Sequence, residues 1–307
     1  MDATSVSPVQ LDYLVAASQS KTWAEAADSI GVTASAFSQG LGQLERRLGL
    51  TLFEPRGRQR TLTPVGHGAV EIAKRVLREH RELASWAASI REGSTGLVRA
   101  GMIDTAAVHH FASPLLQFRR AHPEVDLKLE VSSSAELAER LSDGLLDLVV
   151  MVDQAPEASV GEANQVDGVG EVLVGDYFET PLLVEELHAY APPGVAVGDV
   201  SQWGPWVTFP ASSRTRAHIA RSLRRSGTEF EVVAETSQPA VLREMVQLGM
   251  GWTVLAPIDA EREPHALQRA SKNPVAHRRL ILKRRAGTDV TPPVARLSAV
   301  LLDSVGR

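Results

Sequence analysis

Two short predicted helices that meet at a glycine constrain the N-terminal fold most strongly. Thr22 and Glu25 have the spacing of a capping box, which predicts the start of a helix that ends at Gly31. Thr33 is a suitable N-cap for a second helix. In that second helix, apolar residues recur at spacings of four, three and four, so one face is expected to be buried. These apolar residues are Phe37, Leu41, Leu44 and Leu48.

Small polar side chains lie on the other side of the second helix or near its N-terminus. A major groove admits one helix, where Gln can pair with adenine and Ser can contact bases or phosphates. The pattern therefore predicts DNA contact, although an ordinary three-helix packing unit fits the same residues. The candidate contact residues are Thr33, Ser35, Ser38, Gln39 and Gln43.

An arginine-rich loop follows between two short predicted strands, at 51–53 and 61–63. Arg56, Arg58 and Arg60 lie within five residues of one another. Arginines in such a loop suit phosphates or the minor groove. The net charge of the chain is −5, so DNA contact has to come from local clusters such as this one. The pattern predicts a β-hairpin wing.

Residues 66–92 predict one helix of about 40 Å. Its apolar and long side chains recur at alternating spacings of three and four, which indicates a seam that requires a partner. The partner can be the helix's own domain, but the length of the seam favours a second copy of the chain. The seam residues are Val70, Ala73, Leu77, His80, Ala84, Ala87 and Arg91, and their neighbours Val76, Leu83 and Ile90 broaden the stripe.

Beyond residue 93, predicted strands and helices alternate, which implies a parallel α/β sheet with crossover helices. Residues 153–178 are rich in Gly, Asp and Glu and are expected to form a mobile insertion. The basic run at 278–287 is interpreted as a strand with a solvated face. His109 and His110 are assigned to a surface helix, because their spacing does not suit a metal site.

No enzyme signature stands out. The sequence has no cysteine, so neither a thiolate metal site nor a cysteine nucleophile can form. Nucleophile-elbow, phosphate-loop, zinc-protease and dinucleotide-binding motifs are also missing. We therefore expect no catalytic residue, no metal and no cofactor.

The segment 22–77 resembles the winged helix-turn-helix of LysR-type transcriptional regulators. The resemblance extends more weakly over the rest of the chain. It implies an all-α N-terminal part, with a winged helix-turn-helix at 1–65 and a linker or dimerisation helix at 66–92, followed by an α/β effector domain at 93–307. The motif residues match in order and without a gap: Ala26-Ala27, Val32, Ser38, Gln43-Leu44-Glu45, Leu48-Gly49, Leu52-Phe53-Glu54, Leu62-Thr63-Pro64 and Gly66.

Some residues depart from the family pattern. Gln39 and Gly42 stand where the family often has a basic residue, and Ser35 stands where a proline is common. Gly40 and Gly42 would each cost roughly 1 kcal/mol relative to alanine in a helix interior. We therefore expect weaker phosphate and guanine contact from this helix, with more of the binding carried by the arginines of the wing.

The resemblance also implies that the effector domain resembles periplasmic binding proteins, with two α/β subdomains around a ligand cleft. Subdomain I is expected at about 93–187 and 280–307, and subdomain II at about 188–279. Loops at the carboxyl ends of strands, beside helix N-termini, are the usual ligand sites of such sheets. Their polar groups suit an anionic metabolite, with Arg214 or Arg216 either assisting or solvated, but any one of the polar groups is more simply a helix cap. The candidates are Asp104, Thr105, Ser132, Ser133, Thr208, Ser212, Ser237 and Gln238.

Together these features predict a regulator that binds double-stranded DNA as a homodimer or homotetramer and responds to a small-molecule effector. A regulator controlled by a protein partner, or without any ligand, remains an alternative, and a solute-binding α/β protein is a weaker one. The first ten residues lack the basic and apolar regions of a signal peptide. No apolar run reaches the roughly 18 residues that a membrane span requires, so we expect a cytoplasmic protein without a membrane partner.

Overall fold

The computed structural model describes residues 6–56, 59–91, 96–153, 170–263, 266–286 and 290–305. The chain divides into two compact units. The first unit comprises residues 1–93 with 143–145, and the second comprises residues 94–142 with 146–307. Among the described residues, no helix combines the length and the apolar character needed to cross a membrane.

The first unit contains three short helices, a two-stranded hairpin and a long helix. Thr22 and Thr33 cap the second and third helices as predicted, because their hydroxyls accept the amides of Glu25 and Ala36. The Glu25 carboxylate accepts the amide of Lys21 instead of the Thr22 amide that a reciprocal capping box requires. The elements are α1 (Pro8–Gln19), α2 (Trp23–Ser29), α3 (Ala34–Leu48), β1 (Phe53–Arg56), β2 (Gln59–Leu62) and α4 (Pro64–Arg91).

The predicted apolar face of α3 forms the centre of this unit. Phe37, Leu41 and Leu44 are fully buried. The Glu45 carboxylate accepts the amides of Leu52 and Phe53 at 2.8 and 3.2 Å, which fixes the start of the hairpin against α3. The opposite side of α3 is therefore held toward solvent.

The wing differs from the prediction in the position of its strands. Phe53 pairs with Leu62 and Arg56 with Gln59 in antiparallel register, so the strands extend into the arginine-rich segment. The predicted boundaries at 51–53 and 61–63 were wrong, because backbone pairing continues through residues that locally suggest a loop. Arg58 lies outside the described residues, as does the side chain of Arg56.

The long helix α4 buries, within the single chain, the first three residues of the seam that was predicted to contact a partner helix. Val70, Ala73 and Leu77 are buried, Val70 and Ala73 belong to the apolar core of the first unit, and α4 packs against α1. The predicted intermolecular seam was therefore wrong over this part of the helix. A second apolar stripe is exposed instead, at spacings of seven, four and seven. It consists of Val65, Ile72, Val76 and Leu83, with exposed fractions of 51, 54, 45 and 61%.

The second unit is built on an eight-stranded sheet with the order β10-β7-β12-β5-β3-β4, to which β6 and β11 add by pairing with β7. The strands β3, β4 and β5 are parallel, whereas β7 and β12 run antiparallel to their neighbours. The expected parallel sheet is therefore mixed. The strands are β3 (Leu97–Met102), β4 (Asp126–Val131), β5 (Leu148–Val152), β6 (Val172–Val174), β7 (Tyr177–Ala191), β8 (Trp206–Thr208), β9 (Val232–Glu235), β10 (Thr253–Leu255), β11 (Gln268–Arg269) and β12 (Ala276–Arg285).

Helices connect the strands, and β8 and β9 form a separate parallel pair. A π-helical turn at Ala106–His110 precedes α5, and a 3-10 turn spans Val200–Gln202. The helices are α5 (Ala112–Ala121), α6 (Ser134–Ser142), α7 (Arg214–Arg225), α8 (Pro239–Gln247), α9 (Pro257–Ala260) and α10 (Pro292–Val305).

Two apolar cores lie along the crossing strands β7 and β12. Leu182 and Leu280 belong to a core with β3, β4, β5, α5, α6 and α10. Leu187 and Ala276 belong to a second core with β8, β10, α7 and α8. The two cores, called core I and core II below, therefore meet where β7 and β12 cross from one to the other.

The expected insertion at 153–178 is ordered at its C-terminal end. Residues 172–174 pair with Tyr177–Glu179 in an antiparallel hairpin. Gly175 has a φ of +59°, a left-handed conformation that glycine adopts without steric cost. The prediction was wrong for this end, and residues 154–169 lie outside the described part of the chain.

Candidate functional site

The solvent-facing side of α3 carries the side chains that were predicted to contact DNA. Ser35, Ser38, Gln39 and Gln43 are all exposed. The Nε2 of Gln39 lies 3.5 Å from the hydroxyl of Ser35. Thr33 is exposed as well, but its hydroxyl accepts the Ala36 amide and so serves as the helix cap. The structure thus places a polar surface along α3 from Ser35 to Gln43.

Two further side chains adjoin this surface and were not singled out from the sequence. Arg46 is exposed in the last turn of α3 and follows Gln39 by seven residues, which places both on the same side of the helix. Gln10 of α1 is only 5% exposed, and its Nε2 donates to Oε1 of Gln43 at 3.1 Å. Arg46 could have been found from its helical spacing, whereas nothing near Gln10 in the sequence points to Gln43.

Arg60 is the arginine of the wing whose side chain is described. Its guanidinium lies 4.7 Å from the centre of the Trp23 ring, a cation–π arrangement. Trp23 in turn packs edge-on against Phe53 at 5.5 Å. Arg60 is therefore anchored by the aromatic ring of Trp23 while remaining exposed.

In the second unit, the predicted serine loop after β4 is occupied by a side chain of the protein itself. The hydroxyls of Ser132 and Ser133 both donate to the Glu136 carboxylate, which also accepts the Ser133 amide at 3.2 Å. These hydrogen bonds lower the pKa of Glu136. The α6 N-terminus thus already holds a carboxylate where an anionic ligand was expected.

The other predicted effector residues are spread over several environments. Thr208 is 2% exposed at the end of β8, whereas Ser212, Ser237 and Gln238 are exposed. The backbone amide of Gln238 donates to the Thr236 hydroxyl at 3.3 Å. Arg216, which was expected to assist an anion, forms an ion pair with Glu235.

Thr105 belongs to a buried charge cluster, a term used here for Thr105, Glu185, Asp259 and Arg278. Arg278 Nε donates to Glu185 at 2.5 Å, and its Nη2 donates to the Thr105 hydroxyl at 3.0 Å. That hydroxyl donates to Asp259 at 3.0 Å. Because Glu185 and Arg278 lie on the crossing strands, the cluster sits where the two apolar cores meet.

His109 and His110 border the cluster, so their assignment to a surface helix was wrong. His110 Nε2 lies 2.9 Å from Glu185 and His109 Nε2 lies 3.4 Å from Asp259. The local spacing of the two histidines gave no sign of these partners, which approach from distant parts of the chain. Asp104 lies close enough to His109 to raise its pKa, although burial and Arg262 lower it more.

The electrostatics of the two carboxyl groups differ. Burial opposes ionisation of Glu185, but Arg278 and His110 outweigh it and lower the pKa of Glu185 to about 2. Burial raises the pKa of Asp259 to about 6, because Arg278 and the Thr105 hydroxyl compensate only in part. Asp259 is therefore the carboxyl group of the cluster that takes up a proton near neutral pH.

The basic strand β12 has no solvated face, so that interpretation was wrong. Arg278, Lys283 and Arg285 are less than 10% exposed. Because β12 lies between β7 and β5 in the sheet, its charges are matched by neighbours. Lys283 bonds Glu179 at 2.8 Å, Arg279 bonds Asp153, and Arg285 donates to the carbonyl of Leu141 at 2.6 Å.

Comparison with known proteins agrees with this division into two units. Residues 8–67 match the family described as bacterial regulatory helix-turn-helix protein, lysR family. Residues 91–306 match the LysR substrate binding domain. The two matches together span most of the chain.

Individual relatives match over nearly their whole length. The chain is 24% identical over 302 residues to the "Uncharacterized HTH-type transcriptional regulator YfeR" of Shigella flexneri, covering 96% of this chain and 92% of that protein. It is 27% identical to the "Probable hydrogen peroxide-inducible genes activator" of Streptomyces viridosporus, covering 96% and 93%. The structure of full-length CbnR with its target DNA is similar at a TM-score of 0.61, with 18% identity and coverage of 97% and 99%.

Proposed function

The chain belongs to the LysR family of bacterial transcriptional regulators, and from this premise we propose how its residues bind DNA, associate and respond to an effector. Its helix-turn-helix unit is a DNA-binding domain, and its α/β unit is an effector-binding domain. The relatives named above are regulators of transcription.

For DNA binding, α3 enters the major groove with Ser35, Ser38 and Gln39 toward the bases. The observation that carries this proposal is the exposed polar surface of α3 opposite its fully buried apolar face. The wing lies alongside the groove, where its arginines contact phosphates. Footprinting of wild type and a Ser38→Ala, Gln39→Ala double variant on the promoter beside its own gene tests the docking. Equal protection by both proteins would contradict it.

For assembly, the exposed stripe of α4 pairs with the same stripe of a second copy. Four large apolar side chains at seven- and four-residue spacing on one side of a helix are typical of coiled-coil contacts. A homodimer formed in this way presents two recognition helices to the two half-sites of a palindrome. Two such dimers can assemble further into a homotetramer.

For sensing, the effector binds in the second unit where the two apolar cores meet. Asp104 and Thr105, which follow β3, approach this region. The anionic chemistry expected from the serine loop stays a prediction, and it requires the ligand to displace Glu136 from the α6 N-terminus. Thermal unfolding with a panel of small carboxylates and amines tests the site, because a ligand that binds only the folded state raises the melting temperature.

The effector is bound without covalent chemistry. The Streptomyces relative is named for its response to hydrogen peroxide, but the present sequence contains no cysteine, and thiolate oxidation is the usual protein reaction with peroxide. The described residues also contain no group of three or more potential metal-ligating side chains. We propose a small molecule that binds non-covalently to a cytoplasmic regulator without enzymatic activity, and control by a protein partner is the alternative outcome if no ligand stabilises the protein.

A further inference from the structure

The amide of Gln43 on the recognition helix is held by a buried residue of another helix. Gln43 is exposed on α3, and its Oε1 accepts a hydrogen bond of 3.1 Å from Nε2 of Gln10. The two residues are separated by 33 positions in the sequence. Whether Gln43 presents its N–H donor or its carbonyl oxygen outward therefore depends on which end of its side-chain amide faces Gln10.

The hydrogen bonds of Gln10 fix this orientation. Oε1 of Gln10 accepts the backbone amide of Ser7 at 3.1 Å and Nη1 of Arg47 at 2.8 Å. Both partners are donors, so the oxygen of Gln10 has to face them and its Nε2 has to face Gln43. The same reasoning turns the oxygen of Gln43 toward Gln10. Among the hydrogen bonds of the described residues, none uses Nε2 of Gln43.

We infer that Gln10 is a positioning residue for DNA recognition, which makes Gln43 present an N–H donor to the DNA. A Gln amide that is free at both ends pairs with adenine through N6 and N7, whereas the oxygen of Gln43 is turned toward Gln10 and leaves its N–H facing outward. Gln43 then selects a hydrogen-bond acceptor on the DNA. The acceptor is a base atom, such as O6 or N7 of guanine or O4 of thymine, or a phosphate oxygen. This inference rests on the proposed docking of α3.

The variant Gln10→Glu separates positioning from folding. A glutamate keeps the acceptor for Ser7 and Arg47, and its charge is balanced by the Arg47 guanidinium. Its second oxygen cannot donate, so Gln43 has to rotate its amide and place Nε2 against position 10. The oxygen of Gln43 then faces the DNA. An outward acceptor favours the amino groups of adenine N6 and cytosine N4.

Two further variants complete the design. Gln43→Glu presents an outward acceptor by a second route, because one carboxylate oxygen still accepts from Gln10 while the other faces the DNA. Gln19→Glu is the matched control. Gln19 is exposed at the end of the same helix, so this variant adds one negative charge without touching Gln43. Melting temperatures of all full-length variants establish that they are folded.

The measurement is selection of binding sites from a random DNA library by the full-length protein, followed by fluorescence-anisotropy titration at one salt concentration. If a base supplies the acceptor, Q10E and Q43E change the preferred base at one position of each half-site. Both then bind the wild-type site roughly tenfold more weakly. If a phosphate supplies the acceptor, both variants weaken binding to all sequences by a similar factor and keep the base preference.

Two results would overturn the inference, and they are distinguishable. If Q10E matches Q19E in affinity and base preference while Ser38→Ala weakens binding, α3 docks as proposed but Gln10 does not position Gln43. If Q10E, Q43E and Ser38→Ala all bind like wild type, α3 does not contact the DNA and the proposed docking fails as well.

Discussion

Asp259 and Arg278 are both buried and lie 3.6 Å apart, yet the Arg278 guanidinium makes its short bond, of 2.5 Å, to Glu185. Two buried carboxyl groups thus share one guanidinium. An ionised group without full compensation is costly in the interior of a protein. The cost is smaller because the two groups differ. The lowered pKa of Glu185 keeps it ionised beside Arg278, and the raised pKa of Asp259 favours its neutral form.

The stability of the effector-binding unit is expected to depend on the protonation of Asp259. The pKa of Asp259 is raised to about 6 from 3.8. The contribution of its protonation to the free energy of unfolding is therefore fully present below its pKa in the unfolded chain, and it is lost as pH rises through 6. Asp259→Asn cannot ionise and keeps an acceptor for Thr105. The ratio of the unfolding constants, wild type over variant, should rise roughly tenfold between pH 5 and pH 7. Urea unfolding at both pH values measures this ratio.

Comparison of the two proteins also separates Asp259 from His109. Burial lowers the pKa of His109, so its contribution to stability is lost as pH falls below 6.5, which is opposite in direction to the effect of Asp259. Asp153→Asn is the matched control, because Asp153 bonds Arg279 and its neutralisation should destabilise the protein at both pH values. If the ratio of the unfolding constants of wild type and D259N does not change with pH, Asp259 is not the group that titrates.

The two glycines in the middle of α3 should respond in opposite ways to alanine. A Cβ at Gly40 would lie 2.5 Å from two ring carbons of Tyr13, which is a severe overlap between α3 and α1. Gly40→Ala should therefore destabilise the protein by about 1–3 kcal/mol. A Cβ at Gly42 meets only the end of the Arg46 side chain, at 3.4 Å, so Gly42→Ala should stabilise by about 0.5–1 kcal/mol. Chemical denaturation measures the free energy of unfolding of each variant. A change of the same sign in both variants would contradict the packing argument.

The oligomeric state should depend on the exposed stripe of α4. Ile72→Glu places a charge in the middle of the stripe and should convert the dimer into monomers, because an unpaired charge is costly in an apolar interface. Lys74→Glu adds negative charge to the opposite side of the helix and serves as the control. Light scattering coupled to gel filtration measures the masses. A dimer that persists in I72E would show that another surface holds the subunits together.

The wing arginines should determine the salt dependence of DNA binding. Each phosphate contact that a cation makes contributes about 0.9 to the slope of log affinity against log salt concentration. Replacing Arg56, Arg58 and Arg60 together with alanine should therefore reduce the slope by about 2–3. Arg60→Ala alone separates its two contacts: if Trp23 rather than phosphate is its principal partner, stability falls and the slope stays the same. An unchanged slope in the triple variant would contradict the role of the wing.

Features that depend on residues close in sequence could be predicted well. The caps at Thr22 and Thr33 and the buried face of Phe37, Leu41 and Leu44 follow from interactions within one or two helical turns. The exposed stripe of α4 was harder to predict, because two apolar stripes run along the same helix. Only the packing of α1 shows that Val70, Ala73 and Leu77 are the internal set.

The helix-turn-helix, the order of the elements and the polar surface of α3 could be inferred from the sequence, because helix periodicity and capping are local. The burial of the β12 charges and the hydrogen bond that holds Gln43 depend on the packing of distant segments. Arg278 meets Glu185 across 93 residues, and Gln10 meets Gln43 across 33. Such hydrogen bonds exist only after distant segments pack together, since burial makes the pairing of each polar group necessary.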